Sequence, residues 1–135
     1  MSADTSPAAD RTVVTSTEAP SAIGPYSQAI AHDGLLYCSG ALPFDPDSGR
    51  MSDESVAAET KRCLSNLSAV CREAGTGLRN SVRLTIYTTR LEDFAEINDA
   101  YAEYFPAAPP ARAAVGAAAL PKGAKVEIDA IVALR

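Results

Sequence analysis

The chain has 135 residues and carries 17 acidic against 12 basic side chains, which gives a net charge of −5 and a pI near 4.8. That balance argues against a protein built around a basic stripe for nucleic-acid phosphates, and no apolar run approaches the roughly 20 residues that span a bilayer. Among its residues 26 are Ala and none is Trp. The core is therefore light for its length, and we expect the domain to recruit a partner subunit.

Residues 1–10 consist mainly of Ser, Ala, Thr and Asp. They lack the basic segment and apolar stretch of a secretory signal, so we expect a disordered tail on a cytoplasmic protein, followed by a single domain over residues 11–135. The cysteines at positions 38, 63 and 71 form no CxxC pair. We expect reduced, buried thiols and no metal site, because one His and three scattered Cys supply no ligand cluster.

The first half of the chain predicts three strands and a helix. The strands cover residues 11–16, 29–32 and 35–39. Asp33-Gly34 separates the last two, and this dipeptide is typical of a two-residue hairpin turn. Apolar residues at helical spacing then predict a helix over residues 52–73, with Ser52 or Asp53 as its N-cap. The charged residues Glu59, Lys61 and Arg62 are interpreted as its solvent-exposed face.

The second half predicts a strand over 81–88, a helix over 91–105 and strands over 111–118 and 125–134. In the first of these strands Val82, Leu84 and Ile86 are expected to point the same way. The order β-β-β-α-β-α-β-β indicates an α+β fold with about six strands. Two helices cover only one face of such a sheet. We assign Arg112, Tyr87 and Glu127 to the other face, whose small and polar residues suit an interface.

Three positions are candidates for chemistry. Tyr26 presents a hydroxyl in the turn Gly24-Pro25-Tyr26, which by itself is typical of an ordinary Gly-Pro turn. Arg112 follows two prolines and is flanked by alanines, which leaves space around a guanidinium that matches a carboxylate bidentately. Glu127 is placed to accept a proton from water or to orient it. A structural ion pair is the alternative interpretation for both Arg112 and Glu127.

Taken together, five segments resemble the Rid (YjgF) family of reactive-intermediate imine deaminases. They are residues 19–29 (APSAIGPYSQA), 37–43 (YCSGALP), 91–98 (LEDFAEIN), 110–115 (PARAAV) and 120–128 (LPKGAKVEI). The resemblance runs from about residue 15 to residue 135 without a large insertion. It implies a chorismate-mutase-like α+β fold, assembled as a homotrimer whose ligand sites lie between subunits.

The resemblance also implies an activity and a set of site residues. The activity is hydrolysis of 2-imino and 2-enamino acids to 2-keto acids and ammonia, without metal or cofactor. By analogy Arg112 binds the substrate carboxylate and Glu127 positions or activates water. The cleft-lining positions are Tyr26, Ser39, Gly40, Asn98 and Ala114. The chain departs from the common family pattern at Ala114, where many deaminases have Ser or Cys, and at Ala41, where Gln is usual.

Other functions stay open at this point. One is a trimeric regulatory protein that binds a small carboxylate in the same clefts without turnover, which Ala114 and Ala41 also fit. Another, within the same reaction class, is a pathway-specific deaminase for a larger amino-acid intermediate. The family has also been linked to RNA cleavage and inhibition of translation, which the acidic charge and the missing basic patch disfavour. No membrane or nucleic-acid partner is expected.

Overall fold

The computed structural model describes residue 4 and residues 10–135. Its elements are β1 (Thr12–Val14), β2 (Ala29–His32), β3 (Leu35–Ala41), α1 (Val56–Glu73), β4 (Ser81–Thr88), α2 (Phe94–Ala102), β5 (Ala111–Gly116) and β6 (Val126–Ala133). The predicted element order and the α+β class are confirmed. Apart from Asp4 and Asp10, the tail predicted over residues 1–10 lies outside the described residues.

The strands form one sheet in the order β1-β2-β3-β6-β4-β5, antiparallel except for the β4–β5 pair. The predicted hairpin turn joins β2 to β3, with positive φ at both Asp33 (49°) and Gly34 (78°), as a type I′ turn requires. The last strand, β6, lies between β3 and β4. The side chains of β6 are therefore placed at the centre of the sheet.

The structure corrects the start of the first helix. It begins at Val56 rather than at residue 52, and its N-cap is Ser55, whose Oγ accepts a hydrogen bond from Ala58 N at 3.0 Å. Neither Ser52 nor Asp53 caps it. A capping hydroxyl needs extended backbone at its own position, which Ser55 supplies with φ −163° and ψ 165°.

Three other elements are shorter than predicted. The second helix is split into a 3-10 turn at Leu91–Asp93 and α2, which ends at Ala102. Strand β5 ends at Gly116 because its parallel partner β4 ends at the paired residue Thr88. Strand β1 covers only Thr12–Val14, the three residues that pair with β2. Strand ends are thus set by the partner strand, which the chain's own alternation does not reveal.

The core fills the space between the two helices and one face of the sheet, which we call the helix face. Its fully buried large side chains include Leu36, Leu64, Leu84, Ile86, Ile97, Val126, Ile128 and Val132. The opposite, bare face exposes Tyr37 (43%) and Val115 (41%). Val82 is predicted to point the same way as Leu84 and Ile86, but it is 49% exposed whereas both of these are buried. A register shift between Ser81 and Arg83 turns it outward.

Across the described part of the chain, none of the helices combines the length and the hydrophobicity needed to cross a bilayer.

Candidate functional site

Glu127 lies on the bare face at the centre of the sheet. The β4–β6 register places it opposite Tyr87, and places Asp129 opposite Thr85 on the same face. The Tyr87 hydroxyl donates to Asp129 Oδ2 at 3.2 Å. Glu127 itself makes no hydrogen bond or ion pair with any described residue, so the ion-pair interpretation of this side chain is wrong. Burial, and secondly the charge of Asp129, raise the pKa of the Glu127 carboxyl.

A β-bulge in the neighbouring strand makes room for this carboxyl group. The β3–β6 register shifts between Cys38 and Ala41, which leaves Ser39 and Gly40 as the bulged residues. A Cβ atom added to Gly40 would lie 3.0 Å from the Cδ of Glu127 and closer still to its Oε2. The observed position of the Glu127 carboxylate therefore requires glycine at position 40.

The bulge is tied to the segment that carries Tyr26. Ser39 Oγ donates to the carbonyl of Ser27 at 2.6 Å, and Ser39 N donates to the carbonyl of Gln28 at 2.9 Å. Tyr26 is 46% exposed, and its hydroxyl accepts only a long bond, 3.4 Å, from Ile23 N. Tyr26, Ser39 and Gly40 line one cavity of about 440 Å³. The structure thus brings together four predicted site residues, Tyr26, Ser39, Gly40 and Glu127, which we call the acid cluster.

Arg112 is held by the side chains of α2. Its Nη1 donates to Asn98 Oδ1 at 2.7 Å, and its guanidinium carbon lies 5.3 Å from the ring centroid of Phe94 and 4.9 Å from that of Tyr101. The two rings and the amide fix the orientation of the planar fork while most of its N–H donors stay open. Arg112 has no ion pair with any described residue, so the structural ion-pair interpretation is wrong here as well.

The face of the sheet assigned to Arg112 must be corrected. In the parallel β4–β5 pair, Arg112 is opposite Leu84 and Ala114 is opposite Ile86, and both partners are buried under the helices. Arg112 therefore lies on the helix face beside α2, and not on the bare face with Tyr87 and Glu127. Alternation within β5 does not decide between the faces, because small residues occupy both sides of this strand.

The predicted site residues thus fall into two groups. Asn98, Arg112 and Ala114 form an arginine cluster at the β5 edge of the sheet. The acid cluster lies at β3 and β6, and its Glu127 faces the opposite way from Arg112. Within one chain, the guanidinium and the carboxylate do not share a cleft.

The observed burial of one acidic residue, Glu59, differs from the prediction. Glu59 was interpreted as solvent-exposed, but it is 0% exposed and its Oε1 accepts from Lys125 N (2.7 Å) and Val126 N (3.2 Å). Its Oε2 pairs with Lys125 Nζ at 3.2 Å. Glu59 thereby fixes the start of β6, directly before Glu127. Its spacing from Val56 and Cys63, three and four residues away on the buried stripe of α1, was the signal that placed it inside.

All three cysteines are buried and free, as predicted. Within the described residues, no three His, Cys, Asp or Glu side chains gather closely enough to hold a metal ion.

Comparison with known proteins shows the family to which the chain belongs. The family model described as "Endoribonuclease L-PSP" matches residues 16–134. A cattle (Bos taurus) protein named 2-iminobutanoate/2-iminopropanoate deaminase is 45% identical over 121 residues, which are 90% of this chain and 88% of the relative. A solved Yersinia pestis structure, YyfA, described as a protein of unknown function of the conserved Rid family, is 44% identical with a TM-score of 0.88. The match covers 91% of this chain and 98% of that one.

A third similarity is to the Escherichia coli protein TdcF, solved with bound serine. It is 33% identical with a TM-score of 0.85, and the match covers 90% of this chain and 98% of that chain.

Proposed function

The chain belongs to the Rid (YjgF) family, and we propose on that basis that it is an imine deaminase, a hydrolase acting on C=N bonds. The proposed substrates are 2-imino acids, such as 2-iminobutanoate and 2-iminopropanoate, together with their enamine tautomers. The products are 2-keto acids and ammonia. The observation that carries the proposal is Arg112, an arginine oriented by three neighbouring side chains, with no carboxylate of the described part of the chain to neutralise it.

Arg112 binds the substrate carboxylate in this proposal. Asn98 occupies one donor of the fork at 2.7 Å and leaves the remaining N–H groups for a bidentate contact. Ala114 follows on the same strand and face and keeps the space beside the fork open. A clamped carboxylate fixes the adjacent C=N carbon, so positioning supplies much of the rate increase.

Glu127 acts on the attacking water. Its pKa is raised by burial and by Asp129, which brings its basicity closer to neutral pH. The carboxylate takes a proton as the water oxygen bonds to the imine carbon, and the C=N pair moves to nitrogen. The proton then passes to the nitrogen of the carbinolamine. The carbinolamine hydroxyl then gives its proton to the amino nitrogen by way of Glu127, and the C=O bond forms as the C–N bond breaks. Ammonia and the 2-keto acid leave, with no external oxidant or cofactor.

The residues of the acid cluster around Glu127 shape its surroundings in this proposal. Gly40 supplies the space that the carboxylate occupies, and Ser39 anchors the bulge through its bond to Ser27. Tyr26 lines the same cavity with its hydroxyl largely unused. We assign these residues to substrate binding.

The complete site requires a second copy of the chain. Arg112 and Glu127 face opposite ways in one sheet, so we propose that the arginine cluster of one subunit meets the acid cluster of its neighbour in a homotrimer. The apolar side chains exposed on the bare face, Tyr37 and Val115 among them, support an interface there. The light, alanine-rich core has the same implication.

The direct test generates 2-aminocrotonate in situ with a threonine dehydratase and follows the release of 2-ketobutyrate. We expect faster release with the wild-type protein and no acceleration above background with Arg112→Ala. If the wild type accelerates no 2-imino acid yet binds small carboxylates, the catalytic proposal is wrong and the non-catalytic binding protein is the better account.

A further inference from the structure

The cavity beside the acid cluster is larger than the proposed reaction needs. Its volume of about 440 Å³ falls in the range of small-molecule sites. The 2-imino acids in the relatives' names have short side chains. Ala41, Leu42, Leu67 and Val70 are among the lining residues, and they form an apolar wall that belongs to neither cluster.

One polar group in this wall lacks a partner. Asn66 lines the cavity and is 3% exposed, and its Nδ2 donates to the carbonyls of Leu42 (3.1 Å) and Phe44 (2.9 Å). Its Oδ1 is buried and accepts no hydrogen bond from any described residue. A buried acceptor left unpaired is costly, so it is expected to meet a donor from something that enters the cavity.

Hydrogen bonds and an ion pair hold the part of the cavity wall that residues 42–49 form. Asp45 Oδ1 accepts from the backbone of Asp47 (2.8 Å) and Ser48 (2.9 Å), and its Oδ2 pairs with Arg62 of α1 at 3.5 Å. Together with the two Asn66 bonds, these contacts hold residues 42–49 against the helix. The cavity is therefore formed before a ligand arrives, which lowers the ordering cost of binding.

The geometry points to this cavity as the pocket for the substrate side chain. Gly40 lines the cavity and also lies against the Glu127 carboxyl group, so the cavity and the acid cluster meet at this residue. We therefore infer that the preferred substrates carry a long apolar side chain ending in a hydroxyl or amino donor that reaches Asn66 Oδ1. This inference rests on the proposed deaminase function and specifies its substrate class.

The test compares imino acids of different side chains. An amino-acid oxidase forms them in situ from alanine, norleucine and 6-hydroxynorleucine, and the acceleration of 2-oxo acid release gives kcat/KM for each. We expect the norleucine imine to be favoured over the alanine imine at least tenfold, because each buried methylene adds discrimination. The hydroxylated analogue is expected to react at least as well as norleucine, since Asn66 satisfies its hydroxyl.

Ala41→Leu narrows the cavity from a lining residue that belongs to neither cluster. It is expected to lower kcat/KM for the norleucine imine about tenfold and to leave the alanine imine within about twofold. Ala57→Leu makes the same change at a half-buried position of α1 that does not line the cavity, and it is expected to alter neither value.

The outcomes separate the inference from the function it rests on. Equal wild-type rates for the alanine and norleucine imines, or equal losses for both in Ala41→Leu, would overturn the side-chain pocket while the deaminase stands. A tenfold slower hydroxylated analogue would overturn the contact with Asn66. Acceleration of none of the three imines would overturn the proposed function and the pocket together.

Discussion

The arginine cluster and the acid cluster are built in different ways. Side chains of α2 hold Arg112, through one amide and two aromatic rings. Backbone geometry places Glu127, through a bulge whose Gly40 leaves room for the carboxylate. Each group is oriented, and neither has a charged partner among residues 10–135 of its own chain. The difference shows two separately oriented groups in one chain, and in the proposed trimer each is one half of an active site that a neighbouring subunit completes.

The largest loss of activity is expected when the guanidinium of Arg112 is removed from the arginine cluster. Arg112→Ala is expected to lower kcat/KM for 2-iminobutanoate by about 10³-fold, because a charge-assisted bidentate contact to the carboxylate is lost. Thermal unfolding is expected to change little, since Arg112 is exposed and bonds only Asn98. Arg112→Lys is the matched control, and near-normal activity in that variant would contradict a planar, bidentate clamp.

The next largest loss of activity is expected when the carboxylate of Glu127 is removed from the acid cluster. Glu127→Gln is expected to lower kcat by about 10²-fold, because the water loses its general base. In the wild type, the activity is expected to fall as the pH drops through the raised pKa of Glu127, at a pH above the ordinary range of a glutamate. A pH–rate profile with no such limb would contradict the role of this carboxylate.

The same pKa shift predicts the stability of Glu127→Gln. Because the pKa is higher in the folded state than in the unfolded chain, protonated Glu127 favours folding, and that contribution is lost as the pH rises through the folded pKa. At neutral pH the ionised side chain therefore works against folding. Urea denaturation at pH 7 is expected to show that the Gln variant is at least as stable as the wild type.

Glu59, which fixes the start of β6 beside Glu127, is expected to affect the stability of the fold. Glu59→Ala leaves the buried N–H groups of Lys125 and Val126 without an acceptor, and we expect it to lower the free energy of unfolding by about 3 kcal/mol. Glu59→Gln keeps one carbonyl acceptor and is expected to cost less. Urea denaturation measures both, and equal stability of Glu59→Ala and the wild type would show that the contacts to β6 are unimportant.

The smallest effect is expected from the bulge. Gly40→Ala adds a Cβ that would contact the Glu127 carboxyl group, and the flexible end of that side chain must move. We expect about a tenfold loss of kcat with little change in the melting temperature, because a small displacement of the base misplaces the water. An unchanged kcat in Gly40→Ala would show that the bulge is not needed for catalysis.

The sequence was sufficient for the parts of the fold that local patterns determine. Helical spacing located α1, alternation located β4, and Asp33-Gly34 located the hairpin between β2 and β3. The site residues were found through the resemblance of separated motifs to the family, since none of them is decisive by its spacing alone.

Two errors have one physical cause, which is that the partner strand sets the orientation. Arg112 was assigned to the wrong face because Ala and Gly on both sides of β5 carry no alternation, and only the pairing with Leu84 fixes its direction. Val82 turns outward at a register shift that β4 itself does not encode. Glu59 differs from the prediction for another reason, because its place on the buried stripe of α1 outweighs its charge.

The central claim is that Arg112 of one subunit and Glu127 of another form each active site. The most direct measurement mixes Arg112→Ala and Glu127→Gln, each inactive alone, after reversible dissociation, and assays 2-ketobutyrate release. If the half-sites come from different copies in a cyclic assembly, random mixing at equal amounts is expected to restore about a quarter of the wild-type activity. Activity no higher than that of the separate variants, despite verified subunit exchange, would contradict the claim.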